Sequence, residues 1–152
     1  MAMVCANLLK LSPLLVVVLV QLCLLASGQQ SPPIVYLRSF ANKKLDAPGT
    51  AADAWEKFEW IKNSDGTVSL RALANGKYVC ADKDRDAKLI ANKDWNQVWE
   101  RYNKVDNADG TISLRAVMNN KYVCAEQNLN DSPLTANRDN NLGWEKFYVV
   151  II

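Results

Sequence analysis

The sequence predicts an all-β fold built from three copies of one structural unit. A strand-like segment of alternating residues occurs three times, at residues 35–39, 68–72 and 112–116. A Trp-Glu-basic-aromatic tetrad follows each of them, at residues 55–58, 99–102 and 144–147. No stretch shows a convincing apolar helical period. A repeat of this length indicates a supersecondary unit that buries its apolar side only against its neighbours.

The three repeats are assigned to residues 34–66, 67–110 and 111–152. The second and third repeats match almost position by position, with residues 75–82 against 119–126 and residues 89–94 against 134–139. Each therefore offers about four short strands, the last of which follows the tetrad. The first repeat keeps both ends but is shorter in the middle. Residues 42–50 must make a tight turn there.

Turn signals separate the predicted strands. Clusters of Asn, Asp and Gly occur at residues 63–66, 75–76, 107–110 and 119–120. These residue types accept positive φ at low cost, which is what tight turns between strands require. Two of the four clusters separate one repeat from the next, and the other two follow the first strand of a repeat.

Three repeats of about four strands give the roughly twelve strands of a β-trefoil. In that fold six strands close into a barrel and three hairpins cap one end, which removes most exposed strand edges. The predicted core takes apolar residues from equivalent positions of the repeats. These are Leu37, Leu70, Leu114, Val79, Val123, Leu89, Leu134, Phe58, Tyr102 and Phe147.

The first 28 residues have the pattern of a secretory signal peptide. Lys10 precedes the apolar run 14–25, and small residues follow at 26–28. The run is short and interrupted by Gln21, so a membrane span is disfavoured. We expect a secreted, extracellular chain with a linker at 29–33 and the trefoil at 34–152, without membrane attachment after cleavage.

Composition restricts the chemistry. The formal net charge is +2 and the charges are evenly spread, so no nucleic-acid partner is expected. The sequence has no His, which excludes Ser-His-Asp and Cys-His machinery. Most acidic residues fall in turns and loops, where solvated surface is the usual role. We therefore expect no enzyme, no catalytic residues, no metal site and no cofactor.

Only Cys80 and Cys124 follow the predicted leader. They occupy equivalent positions in two repeats, and threefold packing would separate them beyond the Cα distance that a disulfide tolerates. We expect free thiols or thiols paired between chains, with an intramolecular disulfide as the alternative in an oxidising compartment.

The repeated motifs resemble those of the fascin-like β-trefoil family. They are Leu-Arg-Ala, Asn-Gly-Lys-Tyr-Val-Cys-Ala-Asp, Leu-Ile-Ala-Asn-Lys and Trp-Glu-Lys-Phe, with Asp-Gly turns between repeats. That family includes cytoplasmic actin-bundling domains of the actin-crosslinking type and secreted modules attached to glycoside hydrolases. The resemblance implies a β-trefoil and, for a secreted chain, carbohydrate binding. It does not specify the ligand, because trefoils host many functions.

Residues common to all repeats are expected to be scaffold. They are the tetrad tryptophans (Trp55, Trp99, Trp144), the strand arginines (Arg38, Arg71, Arg115) and the tetrad glutamates (Glu56, Glu100, Glu145). An Arg paired with a carboxylate on the adjoining strand would explain why both types recur. The alternative is a ligand site repeated three times. Trp60 has no counterpart and is expected to pack structurally.

Trp95 is the best candidate for ligand binding. It aligns with Asn140, so the fold does not require an indole at this position, and polar residues surround it. Sugar rings stack their C–H faces on indole while their hydroxyls need paired donors and acceptors. The predicted carbohydrate site is Trp95 with Asn92, Asp94 and Asn96. The alternative is a loop Trp folded onto the barrel.

The equivalent loop of the third repeat has the polar groups without the aromatic residue. Asn137 and Asp139 are therefore predicted to form a weaker second subsite. The preferred function is a secreted, non-catalytic, lectin-like protein that binds a polysaccharide, with β-glucan as the first candidate. The alternative is an extracellular matrix or filament-crosslinking protein that self-associates. Asn130-Asp131-Ser132 is an N-glycosylation triplet.

Overall fold

The computed structural model describes residues 31–41, 56–126 and 133–152. Their strands alternate with tight turns and two single 3₁₀ turns, Lys83–Arg85 and Val98–Glu100. The strands are β1 (Ile34–Ser39), β2 (Phe58–Lys62), β3 (Val68–Ala72), β4 (Tyr78–Asp82), β5 (Lys88–Lys93), β6 (Tyr102–Asp106), β7 (Ile112–Ala116), β8 (Tyr122–Ala125), β9 (Leu134–Arg138) and β10 (Phe147–Ile151). The predicted leader, the turn at 42–50, Trp55 and the Asn130 triplet lie outside the described residues.

Six strands close into a barrel. The antiparallel pairs run from β1 to β2, β3, β6, β7 and β10, and β10 pairs again with β1. The junctions between repeats use equivalent residues, since Val68 pairs with Tyr102 and Ile112 pairs with Phe147. A closed ring of this kind leaves none of its members as a free edge.

Two hairpins lie outside the ring, one from each long repeat. The first joins β4 to β5 and the second joins β8 to β9, and the two meet where Lys88 pairs with Thr135. Each hairpin has its register shift at the same place, between Tyr78 and Val79 and between Tyr122 and Val123. The first repeat's counterpart would fall within residues 42–55, outside the described part.

The core confirms the predicted set. Six of its members are buried and four are partly buried against the same cluster. The partly buried four line an apolar cavity of about 570 Å³; they are Leu37, Phe58, Leu89 and Leu134. Trp60 is also buried, as expected for a structural residue. Burying a large apolar side chain contributes about 1.5–3 kcal/mol, so this layer supplies much of the stability.

A polar network holds each turn between repeats. Asn63 Nδ2 donates to Thr67 Oγ1 at 3.0 Å and to Ser69 Oγ at 2.9 Å. Asn107 makes the same two bonds in the next turn, to Thr111 and Ser113. Both turns also contain a glycine with positive φ, 84° at residue 66 and 79° at residue 110. The turn chemistry predicted from sequence is confirmed.

The strand arginines differ from the prediction. Arg71 pairs with Glu59 on the neighbouring strand β2, with Nε 2.7 Å from Oε2, rather than with a tetrad glutamate. Arg115 lies over the ring of Tyr122, with Cζ 5.2 Å from the centroid, and its Nε donates to Asn120 O at 2.9 Å. Arg71 and Arg115 therefore stabilise strand pairs locally, and the tetrad glutamates Glu100 and Glu145 have another role.

Cys80 and Cys124, the cysteines of the described residues, are buried and free, which agrees with their equivalent positions in two repeats. Burial raises the pKa of the Cys124 thiol to about 11 and also raises the pKa of Cys80. Each thiol is therefore protonated at neutral pH. In the described part of the chain, no helix is long and apolar enough to cross a membrane.

Candidate functional site

The tetrad glutamates hold the loops that carry the candidate ligand residues. Glu100 is 1% exposed, and its Oε2 accepts a hydrogen bond from the Gln97 nitrogen at 2.9 Å. Glu145 is 4% exposed and accepts from the Leu142 nitrogen at 2.9 Å in the same way. Because a buried polar group needs a partner, these carboxylates face inward to satisfy the loop. The tryptophan before each glutamate is left partly exposed.

An open groove of about 250 Å³ lies beside the loop of the second repeat. Trp95 is 55% exposed at this groove, and the half-buried Trp99 forms part of its wall. We call it the second-repeat groove. Its lining residues are Cys80, Ala81, Asp82, Lys83, Asp84, Lys93, Trp95, Trp99 and Glu100.

A corresponding groove of about 580 Å³ lies in the third repeat. Trp144, 38% exposed, takes the place of Trp99, and Asn140 takes the place of Trp95. We call it the third-repeat groove. Its lining residues are Asn137, Arg138, Asp139, Asn140, Leu142, Gly143, Trp144 and Glu145. The two grooves therefore occupy equivalent places in the fold.

The polar residues predicted to accompany Trp95 have other partners. Asn92 Oδ1 accepts from the Cys80 thiol at 3.3 Å, and Asp94 pairs with Lys77. Asn96 Oδ1 accepts from Ser69 Oγ at 2.9 Å, and its Nδ2 donates to Asn63 Oδ1 at 2.8 Å. None of the three is among the described residues that line the second-repeat groove. Of the predicted site there, Trp95 alone lines it.

The predicted subsite of the third repeat is brought together more completely. Asn137 and Asp139 both line the third-repeat groove, beside Trp144. Asp139 pairs with Lys121, which repeats the pairing of Asp94 with Lys77. The Oδ1 atom of Asn137 is buried and has no hydrogen-bond partner among the described residues.

The basic residue at the end of the third strand of each repeat, β5 in the second and β9 in the third, differs between the two grooves. Arg138 Nη2 lies 2.9 and 2.7 Å from the two carboxylate oxygens of Glu126, and its Nε is 4.0 Å from Glu145. The equivalent of Arg138 is Lys93, and the equivalent of Glu126 is the shorter Asp82. Asp82 instead caps the nitrogen of Asp84 at 3.0 Å and lies 3.8 Å from Arg85. The ion pair of the third repeat is thus not repeated in the second.

Sequence reasoning missed Trp99 and Trp144 as groove residues. Their threefold recurrence favoured a scaffold role, whereas the structure places both indoles in groove walls. The signal was the adjacent glutamate. Trp99 and Glu100 are consecutive residues of the 3₁₀ turn Val98–Glu100, where neighbouring side chains point about 120° apart, so the buried Glu100 leaves Trp99 directed towards the surface. Within the described residues, no group of three or more Cys, Asp or Glu side chains could hold a metal ion.

Comparison with solved structures identifies the fold. A designed threefold-symmetric protein, ThreeFoil, matches with a TM-score of 0.66 at 15% identity, over 77% of this chain and 97% of that one. The β-trefoil BEL in an apo crystal form matches with a TM-score of 0.61 at 6% identity, over 81% of this chain and 95% of that one. The fold is a β-trefoil.

A third similar structure is a much longer enzyme. It is the GlcNAcα1-4Gal-releasing endo-β-galactosidase from Clostridium perfringens, with a TM-score of 0.63 and 12% identity. The match covers 79% of this chain and 32% of the enzyme, so this β-trefoil spans about a third of that protein. No family model and no curated protein matches the chain.

Proposed function

We propose that this protein is a secreted, non-catalytic, lectin-like β-trefoil of the fascin-like type that binds a polysaccharide. The observation that carries the proposal is the exposure of Trp95 beside Trp99 in an open groove. An exposed indole is costly to leave in water and provides a flat apolar face for a sugar ring. The groove is open at the surface, which suits the internal units of a long chain.

The surroundings of the indoles support binding without catalysis. Glycoside hydrolysis needs two carboxyl groups that face the scissile bond across a short gap. Here Glu100 and Glu145 are buried loop caps, and Asp94 and Asp139 are each paired with a lysine. The other polar side chains that line the two grooves supply hydrogen-bond donors and acceptors for sugar hydroxyls. The resemblance to secreted trefoil modules and the similar fold within a galactosidase also support a glycan ligand.

Retention on an insoluble β-glucan tests the proposal. Trp95→Ala is expected to lose most of the retention, because stacking of this kind contributes about 1 kcal/mol per contact and individual sites are weak. Trp144→Ala tests the third-repeat groove in the same assay. Leu73→Ala is the matched control, since Leu73 is 38% exposed and lies outside both grooves. Equal retention by all variants and the native protein would refute the proposal.

The alternative is an extracellular structural protein that associates with itself. It is favoured by exposed apolar side chains, of which Leu142 is 67% and Ile151 is 70% exposed. Sedimentation velocity over a concentration series distinguishes the two functions. Assembly without added glycan, abolished by Leu142→Ser or Ile151→Ser, supports the structural role. A monomer at all concentrations supports glycan binding.

A further inference from the structure

The second-repeat groove contains two ammonium groups without ion-pair partners. Lys83 Nζ lies 6.0 Å from the centroid of the Trp99 ring, a cation–π contact. Lys93 lines the same groove, and within the part of the chain that the structure describes neither lysine makes an ion pair. Two lysines without ion-pair partners among the described residues therefore line this groove, and one of them lies over an indole.

The third repeat shows what the alternative arrangement would be. There Arg138 is held by both oxygens of Glu126, so its charge is compensated inside the protein. In the second repeat the acid is one methylene shorter and the base is a lysine. Asp82 is engaged with the Asp84 nitrogen and Arg85 instead of Lys93. At equivalent positions of the fold, Arg138 is therefore neutralised by an ion pair, whereas Lys93 can pair with a bound anion.

We propose that the second-repeat groove binds an acidic saccharide, with the sugar ring on the indole of Trp95 and its carboxylate or sulfate paired with Lys93 and Lys83. This inference rests on the proposed function and names the ligand class of its principal site. The lysine ammonium is a point charge on a flexible side chain, so it can pair with anionic groups whose positions vary along a polymer. The third-repeat groove, with its compensated arginine, lacks this preference for acidic sugar units.

The acidic residues of the groove do not neutralise this preference. Asp82 has its carboxylate in the cap and near Arg85, and the Glu100 carboxylate is buried in its loop. Asp84 is exposed, so its charge is screened by solvent. Asp84→Asn is expected to strengthen the binding of an acidic glycan slightly.

Titration calorimetry with three soluble polymers tests the inference. The probes are polygalacturonate, dextran sulfate and the neutral β-glucan laminarin. Each is titrated into the Trp144→Ala variant, so that the third-repeat groove does not contribute to binding. We expect at least one acidic polymer to bind more tightly than laminarin, with affinity that falls as salt is added. Lys93→Met should weaken that binding about fivefold, the effect of losing one exposed ion pair of about 1 kcal/mol.

Two further variants make the test specific. The double variant Asp82→Glu with Lys93→Arg recreates the pair of the third repeat and should reduce the acidic preference about as much as Lys93→Met does, while leaving laminarin binding unchanged. Lys77→Met removes a lysine of the same repeat that is paired with Asp94 outside the groove, and it should have no effect.

The outcomes separate this inference from the proposed function. Binding of laminarin without any preference for polygalacturonate or dextran sulfate would overturn the inference alone. Unchanged acidic preference in Lys93→Met would do the same. Equal binding of polyglutamate, which has charge but no sugar ring, would refute a saccharide ligand for the groove. Failure of every glycan to bind would overturn both proposals.

Discussion

Glu145 accepts a hydrogen bond from the main-chain nitrogen of Leu142 through Oε2, at 2.9 Å. This bond closes the loop that carries Trp144, and Glu100 does the same for the loop that carries Trp99. The same arrangement thus occurs in two repeats. In each, the position of the groove tryptophan depends on a glutamate that is itself buried. Stability and ligand binding are therefore linked at these positions.

Glu145→Ala should destabilise the protein by about 1.5–3 kcal/mol, because the charge-assisted hydrogen bond that the buried Glu145 accepts from the Leu142 nitrogen is lost. Glu145→Gln retains an acceptor of similar shape and should cost less. Urea unfolding measures both variants, and Trp144 fluorescence reports the loop. Unchanged stability of Glu145→Ala would contradict the capping role.

Asn141→Ala should destabilise the protein by about 1–3 kcal/mol. Asn141 Oδ1 accepts from the buried Ser113 hydroxyl at 2.7 Å, and its Nδ2 donates to Asn107 Oδ1 at 2.9 Å, so the substitution removes the acceptor of the Ser113 hydroxyl and the donor to Asn107 Oδ1. Asn140→Ala is the control, because Asn140 is exposed on the same loop. Thermal unfolding should shift for Asn141→Ala and stay close to the native value for Asn140→Ala.

Stability should fall as pH is lowered from about 4 towards 2. The hydrogen bond from Lys146 and those from Thr111 hold the pKa of Asp109 at about 2, below its usual 3.8. A folded-state pKa below the unfolded value stabilises the protein above the unfolded pKa, and that contribution is lost as pH falls through the folded value. Asp109→Asn should flatten the dependence of unfolding free energy on pH in this window. An identical slope in both proteins would contradict the assignment.

Stability should also fall between about pH 9 and pH 11. Burial raises the pKa of Cys124 from 9.0 to about 11, so the thiolate is favoured only in the unfolded chain. A raised folded-state pKa gives stability that is complete below pH 9 and is lost as pH rises towards the folded value. Cys124→Ala should lose less stability than the native protein between pH 8 and pH 10.5, as measured by urea unfolding. If both proteins lost the same unfolding free energy over this pH range, groups other than Cys124 would account for the loss.

The sequence was sufficient to predict the fold because its local signals agree with one another. Alternating strands such as residues 68–72 and 112–116, positive-φ turns at Gly66 and Gly110, and matched apolar positions all specify the same repeated unit. Equivalent residues then pair on adjacent strands where one repeat joins the next, as Val68 with Tyr102 and Ile112 with Phe147. The closure follows from the repeat.

The site was less predictable because its residues act through long-range partners. Asn96 appears in sequence as a polar neighbour of Trp95, yet its amide binds Ser69 and Asn63, which are 27 and 33 residues away. The tetrad glutamates were expected to pair with the strand arginines, and only the loop nitrogens that Glu100 and Glu145 accept from explain the burial of these two carboxylates. Lys93 and Arg138 differ in their ion pairing although an alignment of the repeats treats them, and the acids Asp82 and Glu126, as equivalent.

The two buried thiols have a practical consequence. Since neither forms a crosslink, reducing agents should leave the native state intact, and the chain should mature equally well in oxidising and reducing compartments. A maleimide or dithionitrobenzoate reagent reaches a buried sulfur only when its surroundings open. Single-cysteine variants would thus give labelling rates that report separately how often the β4–β5 hairpin and the β8–β9 hairpin open.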